Sequence, residues 1–347
     1  MMSQVVIYTQ AYNAENTIAR AVKSILAQNF CGLKPMYLLI NNGSTDSTGA
    51  IINKFAEECP WIYPIHLGMN IPSGTALVMS ALRRCTEAGW FVHLDADDEY
   101  LPGFFEKTFL FMKANNLDIA ACGIDLVDNA TGGVISNRRV DQDFVVQRRE
   151  FADQFISYRR FYIERWGKIY KLRLLKEWFG AAEMGLRRSS LVDFEDTLGI
   201  ISLSDRIGVL AETLFRYYRF SDSYTGTFRG EHIPVLQEHA DIIRHFLRKF
   251  GEIGKLNEDY IAAIYLGWCE HLLNLLDASN LPDVRKLGYI TEMFSCTEMT
   301  NMLLRNGCDP QFRNLAERGE FIRHVRARIL SAGGMPSKIL ISVLNGG

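Results

Sequence analysis

Short apolar segments alternate with stretches of helical periodicity over the first 125 residues, and this alternation is the strongest constraint on the fold. Apolar runs of this length, bounded by polar or turn-forming residues, predict strands that are buried on both faces. The predicted strands are Val5–Thr9, Met36–Ile40, Ile62–His66, Trp90–Leu94 and Asp118–Cys122. Strands separated by helices favour parallel pairing, so we expect an α/β domain with a mainly parallel central sheet and helices on both faces.

Polar residues follow the first, second and fourth predicted strands, at the points where those strands end. They include Asn13 and Glu15, the turn Asn42-Gly43-Ser44 and the acidic run Asp95-Ala96-Asp97-Asp98. Ligands of parallel α/β sheets bind beyond the carboxyl ends of the strands. The sequence therefore predicts a ligand site at this edge of the sheet.

The rest of the chain divides into a mixed region and a helical region. The mixed region contains a predicted hairpin at Val134–Val140 and predicted helices at Arg148–Tyr158, Tyr170–Trp178 and Glu195–Ser204. Residues 232–332 carry apolar side chains at helical spacing almost throughout. We therefore predict one domain over residues 1–225, made of the halves 1–125 and 126–225, and a helical C-terminal domain over residues 232–347.

Composition excludes several classes of protein. The chain has 347 residues and a formal net charge of -2, so it lacks the basic character that nucleic-acid binding requires. None of the seven cysteines lies two to four residues from another, which excludes zinc-knuckle spacing and is typical of reduced thiols. The sequence has neither a signal peptide nor an apolar run of roughly 20 residues that spans a membrane, so we expect a cytoplasmic protein.

The acidic run Asp95-Ala96-Asp97-Asp98 is the clearest candidate for chemistry. It places three carboxylates directly after an apolar strand, where they repel one another unless a cation or hydrogen bonds offset them. Mg²⁺ and Mn²⁺ prefer oxygen ligands of this kind, so the run predicts a divalent metal site. The alternative is a solvated turn that caps the helix predicted to begin at Pro102.

Three segments, in the same order along the chain, resemble glycosyltransferase family 2, whose members have the A-type nucleotide-sugar fold. The segments are Thr9–Asn16 with Ser24–Gln28, Asn41–Thr48, and Leu94–Asp98. Further segments resemble those frequent in the bacterial surface-polysaccharide branch of the family, namely Trp166–Tyr170, Glu195-Asp196 and Tyr217–Ser221. The resemblance extends over residues 4–225 and does not include the rest of the chain.

The resemblance implies an inverting, metal-dependent enzyme that moves a hexose or N-acetylhexosamine from a UDP-sugar to a cell-surface glycan or its lipid-linked precursor. It implies a nucleotide-binding half at residues 1–125 and an acceptor half at residues 126–225. The implied donor nucleotide-binding residues are Thr9, Tyr12, Glu15, Asn42 and Asp95, and the implied ligands of Mn²⁺ or Mg²⁺ are Asp97 and Asp98. The implied general base is Asp196, with Glu195 beside it, and the implied sugar or acceptor contacts are Trp166 and Lys168.

Two departures from the family pattern bear on the donor. Many relatives carry acidic residues where this chain has Asn41 and Asn42. A carboxylate can only accept a hydrogen bond, which suits the N3–H of uracil, whereas an asparagine can accept or donate. Uracil stays the first choice of base, and cytosine and guanine stay open. Relatives also often carry an arginine where this chain has Leu77. The candidates to contact the diphosphate in its place are Arg83, Arg84 and Lys168.

Several features have plainer explanations that the sequence leaves open. Asp196 begins a predicted helix, where a carboxylate favours the amino-terminal dipole in any case, and Trp166 is equally typical of a core residue. Strand alternation is expected to turn His93 away from the acidic run. A nucleotidyltransferase is disfavoured because Thr9–Glu15 contains no glycine. A non-catalytic sugar-nucleotide-binding or scaffolding protein with a degenerate donor site is the alternative function.

The C-terminal region combines basic and apolar residues. They are Arg318, Arg323, His324, Arg326 and Arg328, followed by Lys338–Ile341 and Val343-Leu344. A basic helix with apolar neighbours can rest on an anionic membrane, which predicts peripheral membrane contact through this region. A solvated helix face with an ordinary packed side is the plainer interpretation.

Overall fold

The computed structural model describes residues 4–71, 82, 85, 88–181, 191–220 and 227–295. The chain divides into two compact units, one made of Met1–Arg188 with Val192–Phe220 and the other of Ser189–Leu191 with Ser221–Gly347. Leu77, Arg83, Arg84 and the basic residues from Arg318 onward lie outside the described residues, so the predictions for them are untested.

One mixed sheet of ten strands forms the centre of the first unit. In chain order its strands are β1 (Gln4–Ala11), β2 (Lys34–Asn41), β3 (Ile62–His66), β4 (Ala88–His93), β5 (Glu99–Tyr100), β6 (Ile119–Asp128), β7 (Val134–Arg138), β8 (Phe144–Gln147), β9 (Lys168–Lys171) and β10 (Arg206–Arg219). Their order across the sheet is β3-β2-β1-β4-β9-β6-β10-β5, with β7 paired to β6 and β8 paired to β10.

The strands β3, β2, β1 and β4 are parallel to one another, as the alternation of strands and helices predicts. Their apolar side chains are buried because both faces of the sheet are covered here, and Val5, Val6 and Ile7 of β1 are fully buried. Strand β9 runs antiparallel between β4 and β6, which makes the second half of the sheet mixed. The predicted α/β class is confirmed.

Six helices of this unit lie within the described residues. They are α1 (Ile18–Leu26), α2 (Thr48–Glu58), α3 (Phe104–Asn115), α4 (Phe155–Tyr158), α5 (Leu172–Ala181) and α6 (Val192–Ser202). Helix α1 packs Ile18, Ala21, Val22 and Ile25 into the core, at the helical spacing that the sequence predicts.

Some predicted elements differ from the observed ones. Residues Lys168–Lys171 form β9, and the helix predicted from Tyr170 begins only at Leu172. The segment predicted as a helix over Arg148–Tyr158 contains a 3-10 turn and the one-turn helix α4 instead. The long strand β10 was not predicted, whereas the predicted hairpin is confirmed because β7 pairs antiparallel with β6.

The described part of the second unit is helical. Its helices are α7 (His232–Arg248), α8 (Lys255–Ala278) and α9 (Asp283–Ser295), and their buried residues include Ile243, Phe246 and Leu272. Of the helices that the structure describes, none is long and apolar enough to span a membrane.

Candidate functional site

The acidic run begins where β4 ends, at the edge of the sheet where β1 and β2 also end. The main-chain N–H of Leu94 donates to the carbonyl oxygen of Tyr8 at 2.9 Å, which extends the parallel pairing of β4 with β1 by one residue. At the same edge Ala11 of β1 pairs with Asn41 of β2. The polar segments that follow these three strands therefore start from a common edge.

The three carboxylates of the acidic run perturb one another. Burial, and then the nearby charge of Asp95, raise the pKa of Asp97 to about 6. Burial and both neighbouring carboxylates raise the pKa of Asp98 well above its ordinary value. Burial would also raise the pKa of Asp95, but the hydrogen bond and charge of His93 lower it. A cation beside Asp97 and Asp98 would favour their ionised forms and oppose these shifts.

His93 contacts the acidic run, contrary to the expectation from strand alternation. Its ring Nε2 lies 2.8 Å from Oδ1 of Asp95. The expectation was wrong because residues two apart in an extended strand lie on the same face, and the pairing with β1 continues through Leu94, so His93 and Asp95 lie side by side. His93 therefore supports the carboxylate of Asp95.

Strand β10 and helix α1 hold the acidic run in place. The main-chain N–H of Tyr218 donates to Oδ1 of Asp98 at 2.9 Å, and the Tyr218 hydroxyl donates to Glu99 at 2.8 Å. The guanidinium of Arg20 lies 3.6 Å from the centroid of the Tyr218 ring and also donates to the carbonyl oxygen of Asp97. The acidic run is therefore fixed from two elements that are distant in sequence.

The second oxygen of Asp98 fits a divalent cation. Asp98 is 0% exposed, and its Oδ2 has no hydrogen-bond partner. A buried carboxylate oxygen without a partner is unfavourable unless a positive charge or a donor meets it. Within the described residues, no group of three or more His, Cys, Asp or Glu side chains is arranged to hold a metal. A cation beside Asp97 and Asp98 would therefore need oxygen ligands from outside the chain, as Mg²⁺ commonly takes from substrate phosphates.

The loop after β1 and the turn after β2 are joined by hydrogen bonds between side chains and main chain. Oδ1 of Asn13 accepts from the main-chain N–H of Thr45 at 2.9 Å. Oε2 of Glu15 accepts from the main-chain N–H of Ser47 at 2.9 Å. Because Oε2 of Glu15 accepts this hydrogen bond, the predicted contact of Glu15 with the nucleotide would have to use Oε1.

Asn42 binds the segment that follows β3. Its Nδ2 donates to Oδ1 of Asn70 at 2.8 Å and to the carbonyl oxygen of Ile71 at 3.0 Å, and its Oδ1 accepts from the main-chain N–H of Ile71 at 3.0 Å. Gly43 permits this approach, since its φ is 73° and a Cβ there would lie 2.3 Å from the carbonyl carbon of Met69. The amide of Asn42 is therefore engaged by the protein itself, and its geometry does not support the predicted contact with a base.

Thr9 and Tyr12 differ in their availability to a ligand. Thr9 is fully buried within β1, and its hydroxyl lies 2.9 Å from the hydroxyl of Tyr37. Tyr12 follows β1 directly and is 47% exposed. Tyr12 therefore has a ring free to stack on a base, whereas Thr9 can act only through the strand that it supports.

The predicted base Asp196 is enclosed by other side chains of the first unit. It is 0% exposed, and its Oδ1 accepts from Nε1 of Trp178 at 2.9 Å. Its Oδ2 lies 3.8 Å from Nη1 of Arg165. Glu195 beside it is half-buried. Arg165 also pairs with Asp193, whose side chain is 56% exposed, so this arginine brings both aspartates of α6 together.

Trp166 and Lys168 are buried in the core rather than presented at the edge of the sheet. Trp166 stacks on Phe215 and Tyr217, with ring centroids 4.6 and 5.3 Å apart. Nζ of Lys168 donates to the carbonyl oxygens of Glu164 at 2.7 Å and Trp166 at 2.8 Å, and burial lowers the pKa of the ammonium to about 7. The predicted sugar or acceptor contacts of Trp166 and Lys168, and the diphosphate contact considered for Lys168, stay predictions, and each would require neighbouring side chains to move because protein encloses both residues.

Three residues near the site were not singled out from the sequence as site residues. Arg165 directly precedes the family-like segment Trp166–Tyr170, and this position was an available signal. Tyr218 lies in the family-like segment Tyr217–Ser221, but its contact with Arg20 had no signal because it joins segments that lie far apart along the chain.

Residues 6–182, more than half of the chain, match the family model described as glycosyl transferase family 2. The chain belongs to glycosyl transferase family 2. It is a glycosyltransferase, as the ordered motifs predict. The uncharacterized glycosyltransferase YibD of Escherichia coli K12 is 22% identical to it over 258 residues, which are 74% of this chain and 71% of YibD. An uncharacterized glycosyltransferase of Haemophilus influenzae is 28% identical over 130 residues, which are 37% of this chain and 39% of that protein.

Solved structures share the fold of this glycosyltransferase. S. aureus TarS 1-349 in complex with UDP-GlcNAc is 16% identical, with a TM-score of 0.53 over 97% of this chain and 83% of that one. The mannosyltransferase PcManGT from Pyrobaculum calidifontis, in complex with GDP-Man and Mn²⁺, is 14% identical, with a TM-score of 0.52 over 87% of this chain and 83% of that one. At these identities the likeness concerns the fold, so the donor has to be argued from the residues of this chain.

Proposed function

We propose that this glycosyltransferase moves a hexose or N-acetylhexosamine from a UDP-sugar, with inversion at the anomeric carbon and with the help of Mn²⁺ or Mg²⁺. The observation that carries the proposal is the acidic run at the end of β4, where Oδ2 of Asp98 is buried without a partner. The complexes of TarS with UDP-GlcNAc and of PcManGT with GDP-Man and Mn²⁺ support a nucleotide-sugar donor and a metal on the same fold.

The carboxylates Asp97 and Asp98 would hold the metal, and Asp95, supported by His93, would lie beside the donor. When bound, the metal would offset the negative charge that develops on the diphosphate as the sugar leaves. Tyr12 would stack on the base from the exposed end of β1, while Asn42 would act indirectly by fixing the turn beside it. Because the protein itself engages the amide of Asn42, Tyr12 is the residue that would contact the uracil.

The acceptor hydroxyl must lose its proton as it attacks the anomeric carbon, and Asp196 would be the base that accepts it. Trp178 donates a hydrogen bond to Oδ1 of Asp196, which sets the orientation of the carboxylate, and the guanidinium of Arg165 lies 3.8 Å from the other oxygen. Because Asp196 is buried, the acceptor would have to displace neighbouring side chains to reach it. A direct displacement of this kind inverts the anomeric centre and forms no covalent sugar–enzyme intermediate.

The catalytic domain would be residues 1–225, with the donor bound by residues 1–125 and the acceptor by residues 126–225. The acceptor would be a growing cell-surface glycan or its lipid-linked precursor, and residues 232–347 would bring the enzyme to the inner face of the membrane. Cys31, Cys59 and Cys122 are present as thiols, which is compatible with the reducing cytoplasm expected from the sequence.

Calorimetric titration of UDP, with and without Mn²⁺, tests the donor half of the proposal. We expect binding that strengthens at least tenfold when Mn²⁺ is present, because the diphosphate would share the metal with Asp97 and Asp98. If UDP does not bind, or if its affinity is the same with and without Mn²⁺, the proposed donor and cofactor are refuted.

The substitution Asp196→Asn tests the base. It should retain UDP affinity and reduce turnover of a UDP-sugar by at least about a hundredfold, because the amide accepts no proton. Glu195→Gln is the matched control and should keep more of the activity. Turnover that survives in Asp196→Asn would show that another group takes the proton.

A further inference from the structure

Arg165 is a buried cation whose hydrogen-bonding capacity is only partly used. It is 6% exposed, and its Nη2 donates to Oδ1 of Asp193. Its Nε and Nη1 are buried and make no hydrogen bond. Among the residues that the structure describes, no other side chain has two buried nitrogens without a partner.

A guanidinium in this state is unusual enough to need an explanation. Buried N–H groups are almost always paired, and leaving them unpaired is unfavourable because water has been removed without replacement. Arginine presents its N–H groups as a planar fork that matches the oxygens of a phosphate or carboxylate. The two nitrogens that make no hydrogen bond therefore form an edge that suits an oxyanion.

The position of Arg165 places this edge beside the end of β4. Strand β9 begins three residues after Arg165 and pairs antiparallel with β4, with Ile169 opposite Val92. The main-chain N–H of Gly167 donates to the Tyr100 hydroxyl at 3.1 Å, and that hydroxyl donates to the carbonyl oxygen of His93, the last residue of β4, at 2.7 Å. On its other side Arg165 pairs with Asp193 and lies 3.8 Å from Asp196. Arg165 thus belongs to the segment that lies against the end of β4, and its guanidinium lies beside the proposed base.

We infer that Arg165 binds the diphosphate of the donor through its Nε and Nη1 groups, an inference that rests on the proposed function. It takes the role for which the sequence offered Arg83, Arg84 or Lys168. The ammonium of Lys168 is unsuited to it, because both of its observed hydrogen bonds go to main-chain carbonyl oxygens inside the core. Arg20 is unsuited as well, because it stacks on Tyr218 and donates to the main chain of Asp97.

Asp193 regulates this contact by competing for the same guanidinium. Its carboxylate is more than half exposed, so it can swing towards solvent when a diphosphate arrives. The exchange replaces one carboxylate by two or more phosphate oxygens, and charge-assisted hydrogen bonds of this kind are among the strongest in proteins. Removing the Asp193 carboxylate should therefore favour the diphosphate.

The test compares calorimetric affinities for UDP and for uridine in Mn²⁺-containing buffer, with Arg165→Gln and Asp193→Asn beside the unmodified chain. Arg165→Gln should weaken UDP binding by about 10- to 100-fold and leave uridine binding unchanged, because uridine lacks the phosphates. Asp193→Asn should strengthen UDP binding severalfold. Arg138→Gln is the matched control, since Arg138 pairs with Glu164 one residue before Arg165 but lies near the surface, and it should leave both affinities unchanged.

The outcomes separate this inference from the proposed function. If the unmodified chain binds no UDP, the proposed donor is wrong and Arg165 has no diphosphate to bind. If the chain binds UDP and Arg165→Gln binds it equally well, the inference on Arg165 is wrong while the donor stands. If Arg165→Gln does not fold, Asp193→Asn decides alone, because weakened UDP binding in that variant would show that the ion pair serves only to brace α6.

Discussion

The turn at Gly43 allows a prediction whose two energetic terms can be measured separately. Gly43 has a φ of 73°, and a Cβ at this position would lie 2.3 Å from the carbonyl carbon and 2.6 Å from the main-chain nitrogen of the facing peptide, Met69 and Asn70. An L-residue in the left-handed region costs about 1–2 kcal/mol. The overlap is with backbone, which cannot rotate away, so it adds about 1–3 kcal/mol. We therefore expect Gly43→Ala to lower the free energy of unfolding by about 2–5 kcal/mol.

Gly32 is the matched control for the dihedral term. Its φ is 78°, nearly that of Gly43, but a Cβ there would have no atom within 4 Å. Gly32→Ala should therefore lower the free energy of unfolding only by the cost of the left-handed backbone conformation. The lower entropy of the unfolded chain with alanine offsets about 0.4–1 kcal/mol of this cost. The difference between the two variants isolates the close approach of the segment that Asn42 holds.

Urea denaturation, followed by circular dichroism and fitted with a common m-value, measures both unfolding free energies. Gly43→Ala should unfold at clearly lower urea than Gly32→Ala, and it should also lose UDP affinity because the turn beside Tyr12 moves. Equal unfolding free energies for the two variants would refute the reasoning, since they would show that the Gly43 turn has room for a side chain.

Three other predictions concern buried polar groups. Burial alone would raise the pKa of Asp118, but the hydrogen bond from the main chain of Asp205 and the charges of Lys171 and Arg173 lower it. The contribution of Asp118 to the free energy of unfolding should therefore be present above about pH 4 and lost as the pH falls below that value. Asp118→Asn should thus cost about 2 kcal/mol in urea denaturation at pH 7 and clearly less at pH 3, and an equal cost at both pH values would contradict this. Burial lowers the pKa of Lys168 to about 7. Between pH 7 and 10 the unfolded chain therefore binds one more proton than the folded chain. The free energy of unfolding should rise with pH over this range, with a slope of up to about 1.4 kcal/mol per pH unit. Lys168→Met should lack this slope, and a slope that persists in the variant would assign it to another group. Trp178→Phe removes the hydrogen bond to Oδ1 of Asp196, so kcat for a UDP-sugar should fall about tenfold with little change in KM for the donor. A change in KM alone would place Trp178 at the donor instead.

The parallel part of the sheet could be predicted because each of its strands is marked by the residues of that strand and its immediate neighbours in sequence. Each of β1, β2, β3 and β4 is an apolar run bounded by polar residues, and α1 places its buried residues at helical spacing. Strand β9 was missed because it has only four residues and leads directly into a helix of similar composition. Strand β10 was missed because its fourteen residues mix apolar and charged types, and pairing with three other strands decides its conformation.

The candidate site was predictable in its residue types and less so in its contacts. The acidic run and the turn at Asn42 lie at the predicted edge of the sheet. The partners of Asn42 were not predictable, because they are main-chain groups of residues 70 and 71, which no motif marks. Trp166 and Lys168 were expected at a ligand for their chemistry, but the stacking on Phe215 and Tyr217 that encloses this segment comes from β10.

The insertion of β9 between β4 and β6 has a consequence for synthesis and folding. Strand β4 has one edge covered by β1, and its other edge is covered only by β9, which lies some eighty residues later in the chain. A nascent chain that has reached residue 125 therefore has an open, apolar strand edge of the kind that recruits other chains. The two halves of the catalytic region cannot mature one after the other as separate domains. The ribosome must release the segment that carries Arg165 and β9 before the open edge of β4 can be covered. The sheet and the ion pairs of Arg165 with Asp193 and Asp196 therefore form in the same late folding step.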